Sequence, residues 1–289
     1  MVGSCHVTPF AGMKGSKSIL SILAGAHSIG AGMLGFLTME ESNALRSVCT
    51  EFREAVMDFP WMDAKSVIKG SLRAWRAAFP VARAVNISQR NDIVNADFEH
   101  IRGPRGIHTL DMSYCRLSTT ITDAAFVHLR GIHTLNMSYC NRANITDAAF
   151  AHLCGIHTLD MNYCNQPAIS DAAFKHLRGI HTLSLSYCTQ RSITDYAFVH
   201  LRGIHMLNMS FCIQETITDE AFKHLSGIHT LYMRGCSQET ITNKAFVHLQ
   251  GIRALETDEC STAAQNAAAK VLSSSSSGIR RLFCCFLHR

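Results

Sequence analysis

A histidine and a cysteine recur seven residues apart in this sequence, as His133 and Cys140 do in GIHTLNMSYC. Imidazole and thiolate groups bind zinc, and they also pair in nucleophilic catalysis. The motif is not unique, however, because it occurs six times with few changes. Its copies begin at Gly106, Gly131, Gly155, Gly179, Gly203 and Gly227. The repeat therefore has to be interpreted before any chemistry is assigned to the pair.

Each copy combines a strand pattern with a helix pattern. Leu110 and Met112 alternate with polar residues, which predicts a short strand with one buried face. In ITDAAFVHL the apolar residues fall three to five positions apart, and Thr122 and Asp123 supply the acceptor oxygen and the negative charge favoured at a helix start. Such a unit cannot bury its own apolar face, so the copies must stack into a solenoid, strand beside strand and about 4.8 Å apart.

Stacking argues against a site made by the histidine and the cysteine. The two residues lie at opposite ends of one strand, on the order of 20 Å apart in an extended chain. Equivalent side chains of neighbouring copies run parallel about 4.8 Å apart, whereas zinc ligands converge on one ion at about 2.0 to 2.3 Å. We therefore predict no catalytic residue, no metal site and no cofactor, so the chain is not expected to be an enzyme.

The repetition instead arranges histidines and cysteines in columns. The cysteines are expected to form a ladder of small buried side chains, which favours a reducing compartment, the cytoplasm or the nucleus. The histidines, with pKa values near ~6.5, would become charged together in mild acid and repel each other, so acid is expected to destabilise the fold. The cysteines are Cys115, Cys140, Cys164, Cys188, Cys212, Cys236 and Cys260; the histidines are His108, His133, His157, His181, His205 and His229 at the strand entrances and His128, His152, His176, His200, His224 and His248 in the helices.

The composition fits a folded, interacting protein. At 289 residues and 47% hydrophobic residues, the chain can bury a sizeable core. Its net charge of +5 is modest and spread along the chain, so a nucleic-acid partner is not expected.

Outward-pointing residues of the strands are predicted to contact a protein target. Tyrosine and small polar residues suit protein recognition, because the ring offers contact area at little entropic cost. A second interpretation stays open, in which the tyrosines are a packing ladder. The predicted target-binding residues are Asp111, Asn136, Asp160, Ser184, Asn208 and Tyr232 along the strands and Tyr114, Tyr139, Tyr163 and Tyr187 at the strand exits.

The repeat resembles the cysteine-containing leucine-rich repeat over about residues 81–260. The resemblance implies an α/β fold, a leucine-rich-repeat solenoid or horseshoe with short parallel strands on its concave side and helices on its convex side. The residues that carry it are Ile107, Leu110, Met112, Cys115, Ile121, Thr122, Asp123, Phe126 and Leu129.

Before the repeats, a leucine precedes a polar turn, and a Leu-x-x-Val-Cys run, an aromatic residue three positions after the cysteine and a late tryptophan follow. These residues are Leu37, Leu45, Val48, Cys49, Phe52 and Trp61, and on this pattern the segment resembles the second half of an F-box. An apolar helix, an acidic turn and a second helix with Leu45 and Val56 on one face are expected there. The leucine and proline that open an F-box are absent near Gly25 and Ala26. The resemblance implies the substrate-recognition subunit of an SCF-type cullin–RING ubiquitin ligase. The adaptor protein of that ligase would meet Leu34, Leu37, Leu45, Val48, Phe52, Pro60 and Trp61, and the strands would hold an unknown protein target.

An interaction scaffold without a ligase role is the alternative, with helices that only cap the solenoid. The predicted division is an N-terminal tail (1–17), the F-box-like helical segment (18–80), the repeats (81–260), a cap helix (261–272) and a Ser-rich linker with a basic tail (273–289). Residues 18–38 carry no charge over 21 positions and are long enough to span a bilayer, although glycine and serine interrupt them. Cys284 and Cys285, flanked by phenylalanines and arginines, suit S-acylation and peripheral membrane attachment.

Overall fold

The computed structural model describes residues 34, 37–47, 50–115, 120–141 and 144–274. Within these residues, eight parallel three-residue strands form one sheet, and their spatial order is their order in the chain. The predicted α/β solenoid is therefore confirmed. The strands are β1 Ala84–Asn86, β2 Thr109–Asp111, β3 Thr134–Asn136, β4 Thr158–Asp160, β5 Thr182–Ser184, β6 Met206–Asn208, β7 Thr230–Tyr232 and β8 Ala254–Glu256.

Equivalent residues of successive copies pair across the sheet. Leu110 pairs with Leu135, and Leu135 pairs with Leu159, so every side chain stands beside its own counterpart. This register produces the columns that the repeat predicts.

Helical segments form the second layer. The helices of the described chain are α1 Met39–Leu45, α2 Thr50–Asp58, α3 Leu72–Ala78, α4 Asp97–Arg102, α5 Asp123–Phe126, α6 Asp147–Phe150, α7 Asp171–Phe174, α8 Asp195–Phe198, α9 Asp219–Phe222 and α10 Thr262–Ser274. Four-residue helices α5, α7 and α8 continue directly into 3₁₀ turns, at Val127–Leu129, Lys175–Leu177 and Val199–Leu201, and a further 3₁₀ turn spans Ala245–His248. A glycine follows each of these short helical segments. Gly131, after α5, has a φ of 77°, in the left-handed region that favours glycine.

One phenylalanine per copy fills the space between the two layers. Phe126 and Phe150 are fully buried, as are the leucines of the strands, and all belong to one continuous core. Removing such a ring typically costs about 3–5 kcal/mol. The core phenylalanines are Phe126, Phe150, Phe174, Phe198, Phe222 and Phe246.

The N-terminal helices do not follow the predicted boundary. One helix was expected to carry both Leu45 and Val56, but α1 ends at Leu45 and α2 begins at Thr50. The Ser47 hydroxyl donates to the Ala44 carbonyl at 2.8 Å, and such local bonds compete with helix continuation. Thr38 starts α1 with a capping box.

The N-terminal segment joins the solenoid as a partial copy of the repeat. The backbone N–H groups of Arg83 and Ala84 donate to the Trp61 carbonyl, at 2.8 and 3.0 Å. His133 and Thr134 donate to the His108 carbonyl in the same way. Val67 forms a parallel bridge with Asn86, which covers the open edge of β1. The first helices are thus continuous with the repeats.

Helix α10 packs at the other end of the solenoid. Ala264, Ala268 and Val271 are buried in the common core, and the Gln265 side chain donates to the Cys260 carbonyl at 2.9 Å. None of the helices in the described residues is long and apolar enough to cross a membrane. Most of the uncharged run 18–38 lies outside those residues, as do Cys284 and Cys285.

Candidate functional site

A row of Asp and Asn side chains ends the strands. The Asp111 carboxylate accepts the backbone N–H of Ser113 at 2.9 Å, and the Asn136 side-chain oxygen accepts that of Ser138 at 3.0 Å. Asp160 and Asn208 repeat the arrangement with the residues two positions on. Each of these four predicted target contacts is therefore half-buried and shapes its own turn.

Burial affects the charge state of this row. The pKa of the Asp160 carboxyl is raised, first by burial and then by the nearby Asp111 carboxylate, while the hydrogen bond from Asn162 opposes the rise.

An aromatic ladder follows the row. Tyr114, Tyr139, Tyr163, Tyr187 and Phe211 stack with ring centroids 4.2–4.4 Å apart and planes 12–16° apart. All five hold φ at 58–59°, the left-handed region that side chains other than glycine rarely adopt. An Asx turn precedes four of the five, all except Tyr187, and each aromatic N–H bonds to a carbonyl of the next copy, for example 2.9 Å from Tyr114 to Ser138.

The ladder is a packing structure with one open side. Its rings lie partly exposed, and Tyr114 at the first position retains 42% of its surface. The pKa of the Tyr163 hydroxyl is raised by burial and by the neighbouring hydroxyls of Tyr139 and Tyr187. The structure thus contains the packing ladder of the second interpretation, and target binding by the tyrosines stays a prediction.

Gly235 ends the ladder. It takes the aromatic position with φ of 67°, and a Cβ there would lie 2.4 Å from the Phe211 ring. Tyr232, in the same copy, occupies the position of Asp and Asn and is half-buried. The Arg234 guanidinium pairs with the Glu259 carboxylate, with Nε 3.1 Å from Oε1.

Each buried cysteine thiol donates to a carbonyl of the preceding copy. The Cys140 thiol lies 3.0 Å from the Met112 oxygen, and the Cys164 thiol lies 3.1 Å from the Met137 oxygen. Burial raises the pKa of Cys188 and of Cys236 to about 12. A thiol that stays protonated is neither a nucleophile nor a metal ligand.

Strand-entrance histidines form a second stack. Their rings lie 4.1–4.5 Å apart and 12–17° from parallel. His133 Nδ1 lies 3.1 Å from the hydroxyl of Thr134, and His108, His157 and His181 contact the next threonine in the same way. Among the residues the structure describes, no three His, Cys, Asp or Glu side chains are placed to hold one metal ion.

The helix histidines accept hydrogen bonds from arginines one copy earlier. Arg130 donates to His152 at 3.2 Å, and Arg178 donates to His200 at 3.3 Å. Where the arginine is replaced by Cys154, an exposed thiol lies 3.7 Å from His176.

A carboxylate ladder on the helix side was not predicted. Both oxygens of Asp123 accept from Thr146 of the next copy, from its backbone N–H and from its hydroxyl, at 2.8 Å each. Asp147, Asp171, Asp195 and Asp219 repeat this contact with the following copy. The sequence shows Thr-Asp pairs in successive copies, but a helix start alone explains that pattern.

The predicted adaptor contacts differ in how much of their surface is exposed. Leu34, Leu45 and Trp61 are buried in the common core, with 3%, 8% and 1% of their surfaces exposed. Leu37 and Phe52 are half-buried against it, and Pro60 is exposed. Val48 lies outside the described residues.

No family model matches the chain, and no curated protein matches it. Solved structures do share its fold. The structure of the Toll–Spatzle complex of Drosophila superposes with a TM-score of 0.55 at 13% identity, over 72% of this chain and 28% of that chain. The chain has the fold of a leucine-rich-repeat solenoid.

Two further solved structures resemble this leucine-rich-repeat solenoid. Human 5T4 has a TM-score of 0.52 at 20% identity, over 63% of this chain and 72% of that chain. The mouse RP105/MD-1 complex has a TM-score of 0.51 at 18% identity, over 69% of this chain and 34% of that chain. The solenoid therefore spans only about a third or less of the matched Toll and RP105 chains.

Proposed function

We propose that this leucine-rich-repeat solenoid is a non-catalytic scaffold that binds a protein target on its strand face. The observation that carries the proposal is the rigid, partly exposed aromatic ladder beside the row of Asx turns. Because its rings are already stacked and its backbone already fixed, a partner would lose little of the solenoid's conformational entropy on binding. Two similar structures are complexes with protein partners, Toll with Spatzle and RP105 with MD-1.

The finer proposal is a substrate receptor of an SCF-type cullin–RING ubiquitin ligase. It rests on the resemblance of the N-terminal segment to an F-box. Such a receptor needs a stiff link between the adaptor and the target, and the continuity of Trp61 with the first repeat provides one. The ladder of reduced, buried thiols suits the cytoplasm or the nucleus, where these ligases act.

One observation favours the alternative scaffold without a ligase role. The apolar side chains of Leu34, Leu45 and Trp61 are buried in the common core, as are those of residues that cap the end of a solenoid. An adaptor would then have to dock through Leu37, Phe52 and Pro60, which keep part of their surface outside.

Adaptor binding by the full chain distinguishes the two. We expect the purified adaptor to bind, and Phe52→Ala to weaken that affinity by about tenfold, since it truncates a half-buried aromatic at an interface. Val247→Ala, an exposed apolar residue on the last repeat, is the matched control and should bind normally. If the folded wild-type chain does not bind the adaptor, the ligase proposal is rejected and the scaffold without a ligase role remains.

Target binding is tested by affinity capture with matched tyrosine variants. Tyr163→Ala removes a central ring of the ladder, whereas Tyr196→Ala removes a tyrosine that is 61% exposed on helix α8. Proteins lost with the first variant and retained with the second would be strand-face partners. Equal capture by both variants would contradict target binding at the ladder.

A further inference from the structure

The line of strand-entrance histidines has an arginine in register at each end. Strand pairing places Ala84 beside Thr109 and Ala254 beside Thr230. The residues immediately before these positions therefore fall in one line, here called the entrance column. Its members are Arg83, His108, His133, His157, His181, His205, His229 and Arg253.

One edge of the histidine rings is available to a ligand. Nδ1 of His108, His133, His157 and His181 is occupied by a threonine hydroxyl, and the ring faces cover each other. Within the described part of the chain, Nε2 of these rings makes no hydrogen bond and is not buried. A protonated column would thus present a row of N–H donors at intervals of 4.1–4.5 Å.

The charged groups around the column are themselves basic. The pKa of His108 is lowered by burial, then by His133 and Arg83. Burial also lowers the pKa of His181, together with the rings on either side, and that of His205, together with His229 and Arg253. The positive charge of these three histidines is therefore disfavoured by their own surroundings.

Carboxylates accompany the helix histidines instead. The Asp147 carboxylate opposes the lowering of the His176 pKa, and Asp171 does so for His200. Arginines in the loops leading to the strands, such as Arg178, also bond to these helix histidines. No carboxylate contributes to the shifts of His108, His181 and His205, so their positive charge in acid would be uncompensated within the described residues.

We propose that the entrance column is an acid-gated binding strip for a linear polyphosphate chain. In mild acid the strip would offer up to eight positive groups in a line on the order of 30 Å long, and bound oxyanions would relieve their mutual repulsion. This surface lies at the strand entrances, so the inference does not depend on the target or adaptor proposals.

The spacing favours phosphoryl groups over an acidic peptide. An extended peptide places side chains on one face only about every 6.6 Å, so many rings would lack a carboxylate. A polyphosphate carries an oxyanion on every unit and has no alternating faces. Single-stranded nucleic acid also needs ring faces on which its bases can stack, and the inner rings of the column cover each other.

Calorimetric titration of the full chain with sodium polyphosphate at pH 7.5 and 5.5 tests the proposal. We expect at least about tenfold tighter binding at pH 5.5, because lower pH raises the fraction of protonated imidazoles, the form that attracts phosphate oxyanions. Titrations in two buffers of different ionisation enthalpy should show proton uptake on binding, and added salt should weaken it steeply. Equal affinity at both pH values, or no proton uptake, would overturn the inference.

Matched variants locate the strip. His157→Gln combined with His181→Gln should lose most of the acid-dependent gain, whereas His152→Gln with His176→Gln, two partly exposed helix histidines, should keep it. Arg253→Gln, at the exposed end of the column, should weaken polyphosphate binding without disturbing the histidine stack. This variant therefore still tests the proposal if the first double variant does not fold. If both double variants lose the acid-dependent gain in affinity equally, the binding site is not the entrance column. Equal affinity for polyglutamate or for oligouridylate would overturn the choice of polyphosphate.

Discussion

The side-chain oxygen of Asn162 accepts the backbone N–H of Ser186, 2.7 Å away in the next copy of the repeat. In the copies that carry Asp or Asn at the end of the strand, such as those of Asp111 and Asn136, this N–H bonds to that side chain, but the residue at that position here is Ser184. Asn162 also accepts the Ser184 hydroxyl at 2.6 Å. One departure from the repeat is thus compensated by another in the neighbouring copy.

The compensation predicts that Asn162 and Ser184 are coupled. Asn162→Ser removes the acceptor of a buried turn and should lower the free energy of unfolding by about 1–3 kcal/mol. Adding Ser184→Asn restores the Asx turn found in the other copies and should recover most of the loss. Urea denaturation of the two single variants and the double variant measures the coupling, and strictly additive effects would contradict it.

Gly235 predicts a second coupling, with Phe211. Gly235→Ala places a methyl group against the ring and should destabilise the fold by about 1–3 kcal/mol. In a Phe211→Ala background the clash is gone, so the same substitution should cost only the strain of a positive φ, roughly 1 kcal/mol. A cost that does not change with the background would show that the backbone conformation accounts for all of it.

Cysteine reactivity should separate Cys154 from the buried ladder. Seven of the eight cysteines in the described residues are buried, and burial raises the pKa of those such as Cys188, to about 12, and Cys260, to about 11. At pH 8, mass spectrometry after brief alkylation should find Cys154 modified and the ladder unmodified, until denaturant is added. Labelling of ladder cysteines in the native chain at a similar rate would contradict their burial.

Mild acid should destabilise the solenoid. Burial, with neighbouring positive groups, lowers the pKa of His108, His176, His181, His200, His205 and His224 in the folded chain. As pH falls through about 6.5, the unfolded chain takes up protons before the folded one, so the free energy of unfolding decreases from about pH 7.5 downward. The urea midpoint should therefore be lower at pH 5.5 than at pH 7.5.

A matched pair of variants checks the cause of that decrease. His181→Gln with His200→Gln removes one group from each column and should reduce the difference between the two midpoints. Ile213→Ala, at an exposed residue without a titratable group, should leave it unchanged. The same loss of pH dependence in both would assign the effect to groups other than the columns.

Periodicity predicted the strands, the short helices and their stacking, because it reports which residues in each copy are buried. It could not predict the break between α1 and α2, where the Ser47 hydroxyl binds the Ala44 carbonyl. Periodicity also did not decide whether the tyrosines bind a target or pack on each other. A strand pattern does not show that Tyr139 adopts a left-handed backbone conformation and stacks on Tyr163.

The sequence by itself determined that the chain is a stack of strand and helix units in which like residues form columns, since near-identical copies can bury their apolar faces only against each other. Only the tertiary structure decided what each column does. Whether Asp123 binds Thr146, Arg178 binds His200 or Trp61 closes the first repeat depends on distances between residues some 22 or more positions apart. Those contacts form only once the copies are stacked, so no pattern within a single copy contains them.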